Sequence, residues 1–111
     1  MSDKTIYRMH AGVCKALAHP IRIEIIDILQ TNEMTFSEIL EKTGGLKSNV
    51  SQHLTIMVSK GILNQRKEGQ NVYFKLSSRK VANACRLMRE VLIDNIDRQN
   101  EIIKNLEPIN Q

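Results

Sequence analysis

The fold is decided by residues 35–76, which read TFSEILEKTGGLKSNVSQHLTIMVSKGILNQRKEGQNVYFKL. The segment opens with a capping box, in which the side chains of Thr35 and Glu38 are placed to bond each other's backbone N–H groups. This pattern predicts that a helix begins here. Gly44-Gly45 ends it, because glycine readily adopts the left-handed conformation in which many helices terminate. The outcome is a short helix followed by a glycine-containing turn.

A second helix is predicted from Lys47 or Ser48 to Lys60, just before Gly61. At about 100° per residue its apolar residues share one face, which we expect to be buried: Val50, Leu54, Met57 and Val58. The opposite face carries small polar side chains: Ser48, Gln52, Thr55 and Ser59, with Asn49 and Ser51 on its flanks. Short side chains allow a close approach to DNA base edges, and glutamine or asparagine can bond adenine in two places. Lys47 and the free N–H groups of the helix start suit phosphate.

A basic hairpin follows the second helix. Residues 62–67 alternate between apolar and polar side chains, residues 68–71 form a turn, and residues 72–76 continue the pattern, which predicts two paired strands. Polar and basic side chains cluster around the turn: Arg66, Lys67, Gln70, Asn71 and Lys75. They are placed to contact the DNA backbone or an adjacent minor groove, the alternative being a solvated hairpin whose charges serve solubility. Residues 35–60, as a helix-turn-helix, and residues 62–76, as its wing, predict a winged helix-turn-helix.

The positive charge of the chain is concentrated in this region. The 111 residues carry a formal net charge of +4. Between Lys47 and Lys80 there are seven basic residues and one acidic residue, a net +6, which leaves −2 for the rest of the chain. A basic patch confined to one segment favours a polyanionic partner such as double-stranded DNA, and a solvated basic face is the alternative.

Several functional classes find no support in the sequence. The length and the ordinary apolar fraction indicate one globular domain, residues 1–111. No signal peptide and no run of roughly 18 apolar residues is present, so a cytoplasmic protein without a membrane segment is expected. No nucleophile–base pair, glycine-rich phosphate loop or metal-spaced ligand cluster occurs, so no enzyme, metal site or cofactor is predicted. His53, beside the buried face of its helix, is either a structural histidine or a phosphate contact.

Further helices flank residues 35–76. Residues 5–17 form a first helix, and Pro20 begins another that runs to about Gln30. In the latter we expect Ile21, Ile25, Ile28 and Leu29 on the buried face and Arg22, Glu24 and Asp27 outside. Residues 79–106 form one long last helix, roughly 40 Å at 1.5 Å per residue. So small a domain cannot cover its apolar stripe, so residues 5–17 and 79–106 are predicted to form the interface of a homodimer.

Three strings in this order resemble the ArsR/SmtB family of bacterial and archaeal repressors. They are LAHPIR at residues 17–22, VSQHL at 50–54, and GIL with RKEGQNVYFKL between 61 and 76. The resemblance covers roughly residues 7–92. It implies a mainly α winged helix-turn-helix with a small β-hairpin, in the order helix-helix-helix-helix-strand-strand-helix, which dimerises through its first and last helices. It also implies a repressor of a palindromic operator, released by an inducer that is often a metal ion, a metalloid or a reactive sulfur species.

The resemblance implies roles for particular residues. The family's DNA contacts fall on Ser48, Asn49, Ser51 and Gln52, and its wing falls on Arg66 through Asn71. The family's best-known metal sites are not matched. Residues 36–40 lack the Cys-x-Cys string of soft-metal sensors, and the last helix contains Asp94 and Asp97 but no histidine. Zinc prefers nitrogen or sulfur ligands, so neither standard metal site is expected.

Cys14 on the first helix and Cys85 on the last helix are the candidate sensing residues. If the two helices meet at a dimer interface, two thiols there are suited to a disulfide, a polysulfide bridge or a thiophilic ion. The family's dithiol sensors usually place the early cysteine after the His-Pro segment, whereas Cys14 precedes it. The alternative is two structural thiols, because free cysteine often packs as a small hydrophobe. We therefore expect an inducible DNA-binding regulator, with a winged-helix protein-interaction module lacking any inducer as the alternative.

Overall fold

The computed structural model describes residues 3–106, so the first two and last five residues of the predicted 1–111 domain lie outside the described residues. Five helices and three strands follow one another along the chain. They are α1 (Asp3–Leu17), α2 (Pro20–Ile28), β1 (Met34–Thr35), α3 (Phe36–Thr43), α4 (Lys47–Ser59), β2 (Leu63–Glu68), β3 (Asn71–Leu76) and α5 (Arg79–Leu106). Each predicted helix and both wing strands are present, and their ends lie within two residues of the sequence-based bounds.

The local signals at the helix ends are confirmed. The Thr35 hydroxyl accepts a hydrogen bond from the Glu38 N–H at 3.2 Å, and the Glu38 carboxylate accepts one from the Thr35 N–H at 3.0 Å. Gly44 adopts a φ of 67° and its N–H bonds Leu40, so α3 ends in a left-handed C-cap. His19 is extended, as expected for the residue before Pro20 at the start of α2.

The predicted faces of α2 are confirmed in part, because Ile25 and Leu29 are buried and Glu24 and Asp27 are exposed, whereas Ile21 and Ile28 are only half-buried. Its buried residues are Arg22, Ile25 and Ile26, followed by Leu29 at the cap. Arg22, which was predicted to lie outside, is only 6% exposed. The prediction was wrong because it placed an arginine by charge alone. A guanidinium can be buried in a protein when hydrogen-bond acceptors replace its water. Arg22 has two such acceptors, Nδ1 of His53 and the carbonyl oxygen of Ala16.

The wing is part of a three-stranded sheet, whereas the sequence predicted only a two-stranded hairpin. The strand order is β1-β3-β2, and β3 pairs antiparallel with both neighbours. Met34 of β1 lies opposite Phe74, and Leu63 of β2 lies opposite Leu76. The two residues of β1 are too few to show an alternating pattern, so nothing in the sequence marked them as a strand.

One apolar core joins α2, α3, α4 and the sheet. Its most deeply buried side chains are Ile25, Ile26, Ile39, Val50, Leu54, Met57 and Leu63. The predicted buried face of α4 is confirmed, because Val50, Leu54 and Met57 are at most 1% exposed. This packing fixes α4 against α2 and α3, so its polar residues are held on the outer surface.

Helices α1 and α5 extend away from this core. The molecule measures 65 × 43 × 24 Å, and its radius of gyration is 18.4 Å, against about 13 Å for a compact domain of this length. Within the described residues, α1 contributes Ala16 to the core and α5 contributes Ala82. Large apolar side chains elsewhere on both helices are exposed, among them Tyr7 and Met88 at 69% each. A single chain therefore leaves the apolar stripes of α1 and α5 uncovered.

Candidate nucleic-acid interface

The outer surface of α4 carries the small polar side chains that the sequence placed there. Ser48, Asn49, Ser51, Gln52 and Thr55 are all exposed. The Thr55 hydroxyl donates to the Ser51 carbonyl oxygen at 2.9 Å, which engages its proton and leaves its oxygen lone pairs free to accept. We call these five residues the polar face of α4. Short side chains on a rigid helix let the backbone approach another surface closely.

The start of α4 lacks a side-chain cap. Its N-cap residue is Leu46, whose apolar side chain makes no capping hydrogen bond and is 77% exposed. The first N–H groups of a helix have no partner within it, and they form the positive end of the helix dipole. With Lys47 beside them, they form a site that suits a phosphate oxygen. The sequence predicted a phosphate contact at Lys47, but the uncapped helix start was not identified from it. The signal available for it was Leu46, because an apolar side chain cannot accept a capping hydrogen bond.

An open groove of about 840 Å³ lies between the starts of α3 and α4 and the wing. Six of the residues predicted to contact DNA line it: Lys47, Ser48, Ser51, Thr55, Gln70 and Asn71. Asn49, Gln52, Arg66 and Lys67 are not among its lining residues. The sequence-based prediction missed Ser37 and Gln65, which also line the groove. Only Ser37 could have been identified from the sequence, because it lies two residues after the N-cap Thr35 and therefore in the exposed first turn of a helix.

The wing divides its basic residues between two faces. Paired residues of an antiparallel sheet share a face and neighbours along a strand alternate, so Lys67 lies with Val72 while Arg66 lies with Tyr73. The tip is a two-residue turn at Gly69-Gln70, with Gly69 at a φ of 62°. Gln70 and Asn71 are therefore presented at the end of the wing. A glycine at the first turn position is the arrangement of a type II′ hairpin.

Arg66 has protein partners on its face of the wing. Its guanidinium bonds Glu33, with the closest N–O distance at 2.7 Å, and also bonds Glu68. It lies 4.2 Å from the centroid of the Tyr73 ring. These carboxylates raise the pKa of Arg66 further above its usual range. Arg66 therefore contacts Glu33 and does not line the groove. The two residues are 33 positions apart, and the sequence did not suggest this contact.

His53 lies behind the polar face of α4. It is half-buried, and its Nδ1 accepts a hydrogen bond from Nε of Arg22 at 2.9 Å. Burial chiefly, and the nearby charges of Arg22 and His19, lower the pKa of His53. This geometry matches the structural histidine among the two alternatives that the sequence left open. A neutral imidazole held inside the domain is a poor partner for phosphate.

The two cysteines occupy different environments. Both are free thiols; Cys14 is exposed on α1, whereas Cys85 is half-buried. Cys85 lies in a narrow cleft between α2 and α5, beside Ile26 and Arg89. Burial raises the pKa of its thiol, and the charge of Arg89 opposes this only in part. Within the chain, the structure therefore packs Cys85 against α2 and leaves Cys14 on the uncovered stripe of α1.

Residues 3–106 offer neither a metal site nor a membrane span. No group of three or more histidine, cysteine, aspartate or glutamate side chains in this part of the chain is placed to hold a metal ion. None of the helices described is long and apolar enough to cross a bilayer.

Part of the chain matches a model of a known protein family. Residues 19–65 match the family model described as "Bacterial regulatory protein, arsR family". These residues run from the start of α2 to the middle of β2, so they contain the helix-turn-helix and the first half of the first wing strand. The transcriptional activator HlyU of Vibrio cholerae is 34% identical over 77 residues, which are 69% of this chain and 71% of that protein.

Solved structures extend the similarity to most of the chain. The crystal structure of Rv0081 from Mycobacterium tuberculosis superposes with a TM-score of 0.76 at 27% identity, covering 85% of this chain and 95% of that one. The solution structure of Mb0332 from Mycobacterium bovis gives a TM-score of 0.73 at 29% identity, covering 85% and 89%. Mb0332 is described there as a homodimeric winged helix-turn-helix DNA-binding domain.

Proposed function

Because the chain belongs to the ArsR family of bacterial regulatory proteins, and is a DNA-binding transcriptional regulator rather than an enzyme, we propose that it acts as a homodimeric repressor of a palindromic operator. The observation that carries the proposal is the polar face of α4, held outward beside the open groove by a fully buried apolar face. A rigid helix with short polar side chains is what the major groove of DNA admits. Because the operator is DNA, a cytoplasmic site of action is part of the proposal.

The proposed DNA contacts have two parts. The polar face of α4 reads base edges, while Lys47 and the uncapped start of α4 bind phosphate. On the wing, Lys67, Gln70 and Asn71 contact the backbone or the adjacent minor groove. Arg66, which belonged to the predicted set, enters the proposal as the residue that holds the wing through Glu33. The groove between α4 and the wing gives one strand of the duplex a place to lie.

Dimerisation is proposed through α1 and α5. Their exposed apolar side chains include Ile6, Met9 and Val13 on α1 and Leu92 and Ile96 on α5. Such a surface on a monomer marks an interface, because water contact with so many large apolar groups is unfavourable. The homodimer described for Mb0332 supports the same arrangement here. Two reading helices in one dimer explain why the operator is expected to be a palindrome.

Repression is the direction proposed for the regulator. SdpR of Bacillus subtilis, 31% identical over 67 residues, is named a transcriptional repressor. HlyU is named an activator, so relatives act in both directions. A reporter gene placed behind the selected operator tests this, because repression predicts higher expression when the protein is deleted.

Thiol chemistry at Cys14 and Cys85 is the proposed route to release, with structural thiols as its alternative. Exposure supports Cys14 as the reacting group, whereas the raised pKa of Cys85 leaves less thiolate there, so Cys85 is the resolving partner. In a disulfide the two thiols give two protons and two electrons to an added oxidant. Diamide, polysulfide or a soft metal should weaken operator binding by the wild type. A full response in the Cys14→Ser, Cys85→Ser double variant would exclude the thiol route.

Selection from a random-sequence pool of duplex DNA tests the main proposal. The wild type should enrich a palindromic sequence, and its affinity should fall with salt at a log–log slope of about −0.9 per phosphate neutralised. Gln52→Ala should reduce discrimination at one base position, by about 1–3 kcal/mol for a two-point contact. Gln30→Ala, just after the end of α2 and outside the proposed contacts, is the matched control. No enriched sequence together with a slope near zero would favour the protein-interaction module.

A further inference from the structure

Arg22 is a buried cation without an ionic partner among residues 3–106. It is 6% exposed, and none of the ion pairs in the described part of the chain includes it. Its guanidinium donates from Nε to Nδ1 of His53 at 2.9 Å and from Nη1 to the carbonyl oxygen of Ala16 at 3.0 Å. A buried charge is unfavourable unless hydrogen-bond acceptors replace the lost water. These two acceptors therefore define what Arg22 holds together.

The two acceptors belong to different helices. Ala16 lies in the last turn of α1, where carbonyl groups lack partners within the helix and form the negative end of its dipole. His53 lies in α4, directly after Gln52 of the polar face. Arg22 itself is on α2. One guanidinium thus connects the end of a proposed dimerisation helix with the helix proposed to read DNA.

We propose that Arg22 is a positioning residue for DNA recognition, and that the neutral imidazole of His53 must accept its hydrogen bond for α4 to keep its angle to α1. The inference rests on the proposed function, because it takes α4 as the reading helix and α1 as part of the dimer. Two reading helices in a dimer must match the spacing of two half-sites. A change in the angle between α1 and α4 alters that spacing in both halves of the dimer.

The protonation state of His53 follows from its partner. Arginine has only donors and keeps its charge, so Nδ1 must offer a lone pair and the ring must be neutral with its proton on Nε2. A proton on Nδ1 removes the acceptor and sets two cations against each other. The charged or titratable groups that act on this ring are Arg22 from α2 and His19 from the α1–α2 connection, whose ring centroid is 5.7 Å away. No carboxylate among the described residues bonds either Arg22 or His53.

Acidification should therefore weaken recognition. The lowered pKa of His53 keeps the link intact at neutral pH, and protonation breaks it as the pH falls below the ordinary histidine value of about 6.5. Acid also adds positive charge elsewhere and so strengthens binding to any duplex. The informative quantity is the ratio of the dissociation constant for a scrambled duplex to that for the selected duplex. This ratio cancels the general electrostatic gain.

Two substitutions at His53 separate the hydrogen bond from the ring. Asparagine places its amide oxygen near the position of Nδ1 and does not titrate, so His53→Asn should keep a high ratio from about pH 8 to about pH 5.5. Glutamine places its amide near Nε2, so His53→Gln should give a low ratio at every pH. The wild type should match His53→Asn at high pH. On acidification to pH 5.5 it should lose at most about tenfold of its ratio, because the pKa of His53 lies below 6.5 and a single group protonates only in part over that range.

Arg22→Lys and two histidine controls complete the experiment. Lysine lacks the forked donors, so Arg22→Lys should show the low ratio of His53→Gln while it keeps the charge. His10→Asn on exposed α1 should follow the wild-type pH profile, and His19→Asn should follow it with a shifted midpoint. Binding to the scrambled duplex and the circular dichroism spectrum report whether each variant is folded. If Arg22→Lys does not fold, the two His53 variants decide the question.

The outcomes separate the inference from the proposed function. A wild type that selects no duplex contradicts the proposed function itself. A wild type that selects a duplex, combined with a His53→Asn variant that loses its ratio in acid as the wild type does, overturns the inference alone. Equal ratios for the wild type and His53→Gln at pH 8 would overturn it as well.

Discussion

The guanidinium of Arg66 on β2 is bound to the carboxylate of Glu33, the residue immediately before β1. Nε donates to both carboxylate oxygens, at 3.1 and 3.0 Å, and Nη2 donates to Oε1 at 2.7 Å. The hydrogen bond from Arg66 lowers the pKa of Glu33. This pair spans the sheet from β2 to β1 across the central strand β3. It connects the wing to the segment that leads into α3, which begins directly after β1.

Substitution of neighbouring wing residues distinguishes a DNA contact from a support. Lys67→Ala should reduce the salt slope of operator binding by about 0.9, because one phosphate contact is lost. Arg66→Ala should weaken binding to the operator while leaving that slope nearly unchanged, because its charge is already paired with Glu33 and Glu68. Fluorescence anisotropy over a range of salt concentrations measures both. Equal losses of slope in the two variants would assign Arg66 to the DNA instead.

The capping box of α3 should contribute measurably to stability. Thr35→Ala removes the hydroxyl that accepts from the Glu38 N–H and should lower the free energy of unfolding by about 1 kcal/mol. Chemical denaturation followed by circular dichroism measures the change. Thr31→Ala, in the exposed loop before β1, is the matched control and should have little effect. Equal stability of Thr35→Ala and the wild type would show that the cap is dispensable.

The same capping box predicts a dependence on pH. The hydrogen bonds from the Thr35 backbone, and then from its hydroxyl, lower the pKa of Glu38 from 4.5. The unfolded chain then binds more protons in acid, so the stabilisation is complete above about pH 4.5 and is lost as the pH falls through the lower, folded-state value. Glu38→Gln should flatten this part of the stability profile measured by thermal melts. An unchanged acid profile in Glu38→Gln would contradict the assignment.

Gly45 is required by close packing at the turn between α3 and α4. A Cβ atom at this position would lie 2.9 Å from Cγ2 of Val50, which is fully buried, and 3.5 Å from Cδ1 of Ile21. Gly45→Ala should therefore destabilise the fold by roughly 1–3 kcal/mol, the usual range for overpacking. Gly12→Ala on α1 is the control, because nothing lies within 4 Å of its Cβ and alanine favours a helix. A Gly45→Ala variant as stable as the wild type would show that α4 can shift freely.

A charge on the exposed apolar stripe of α5 should prevent dimerisation. Ile96 is 45% exposed in the single chain, so Ile96→Asp should leave the fold of one chain intact while placing a carboxylate in the proposed interface. Sedimentation equilibrium should then show a monomer, and affinity for a palindromic duplex should fall. Asn83→Asp adds the same charge on the opposite side of α5 and should remain dimeric. A dimeric Ile96→Asp variant would place the interface elsewhere.

The features that the sequence determined are those with short-range causes. The capping box joins two residues three positions apart. Pro20 has a fixed φ and restricts the backbone of His19, and Gly44 ends α3 by its own left-handed conformation. The buried and polar faces of α4 follow from a fixed rotation per residue, so the spacing of Val50 and Gln52 along the chain is enough to assign them to opposite sides. Each of these depends on the chain within one or two helical turns.

The tertiary structure alone decided the partners of the long polar side chains. Arg22 bonds His53 across 31 positions, Arg66 bonds Glu33 across 33, and β1 is a strand only because β3 lies beside it. The local conformational energy of an arginine is similar whether it bonds water, a carboxylate, an imidazole or a carbonyl. Its neighbours in the sequence therefore do not determine which partner it binds. The choice depends on which acceptors the packed core brings within about 3 Å, because a buried donor must find one of them once water is excluded.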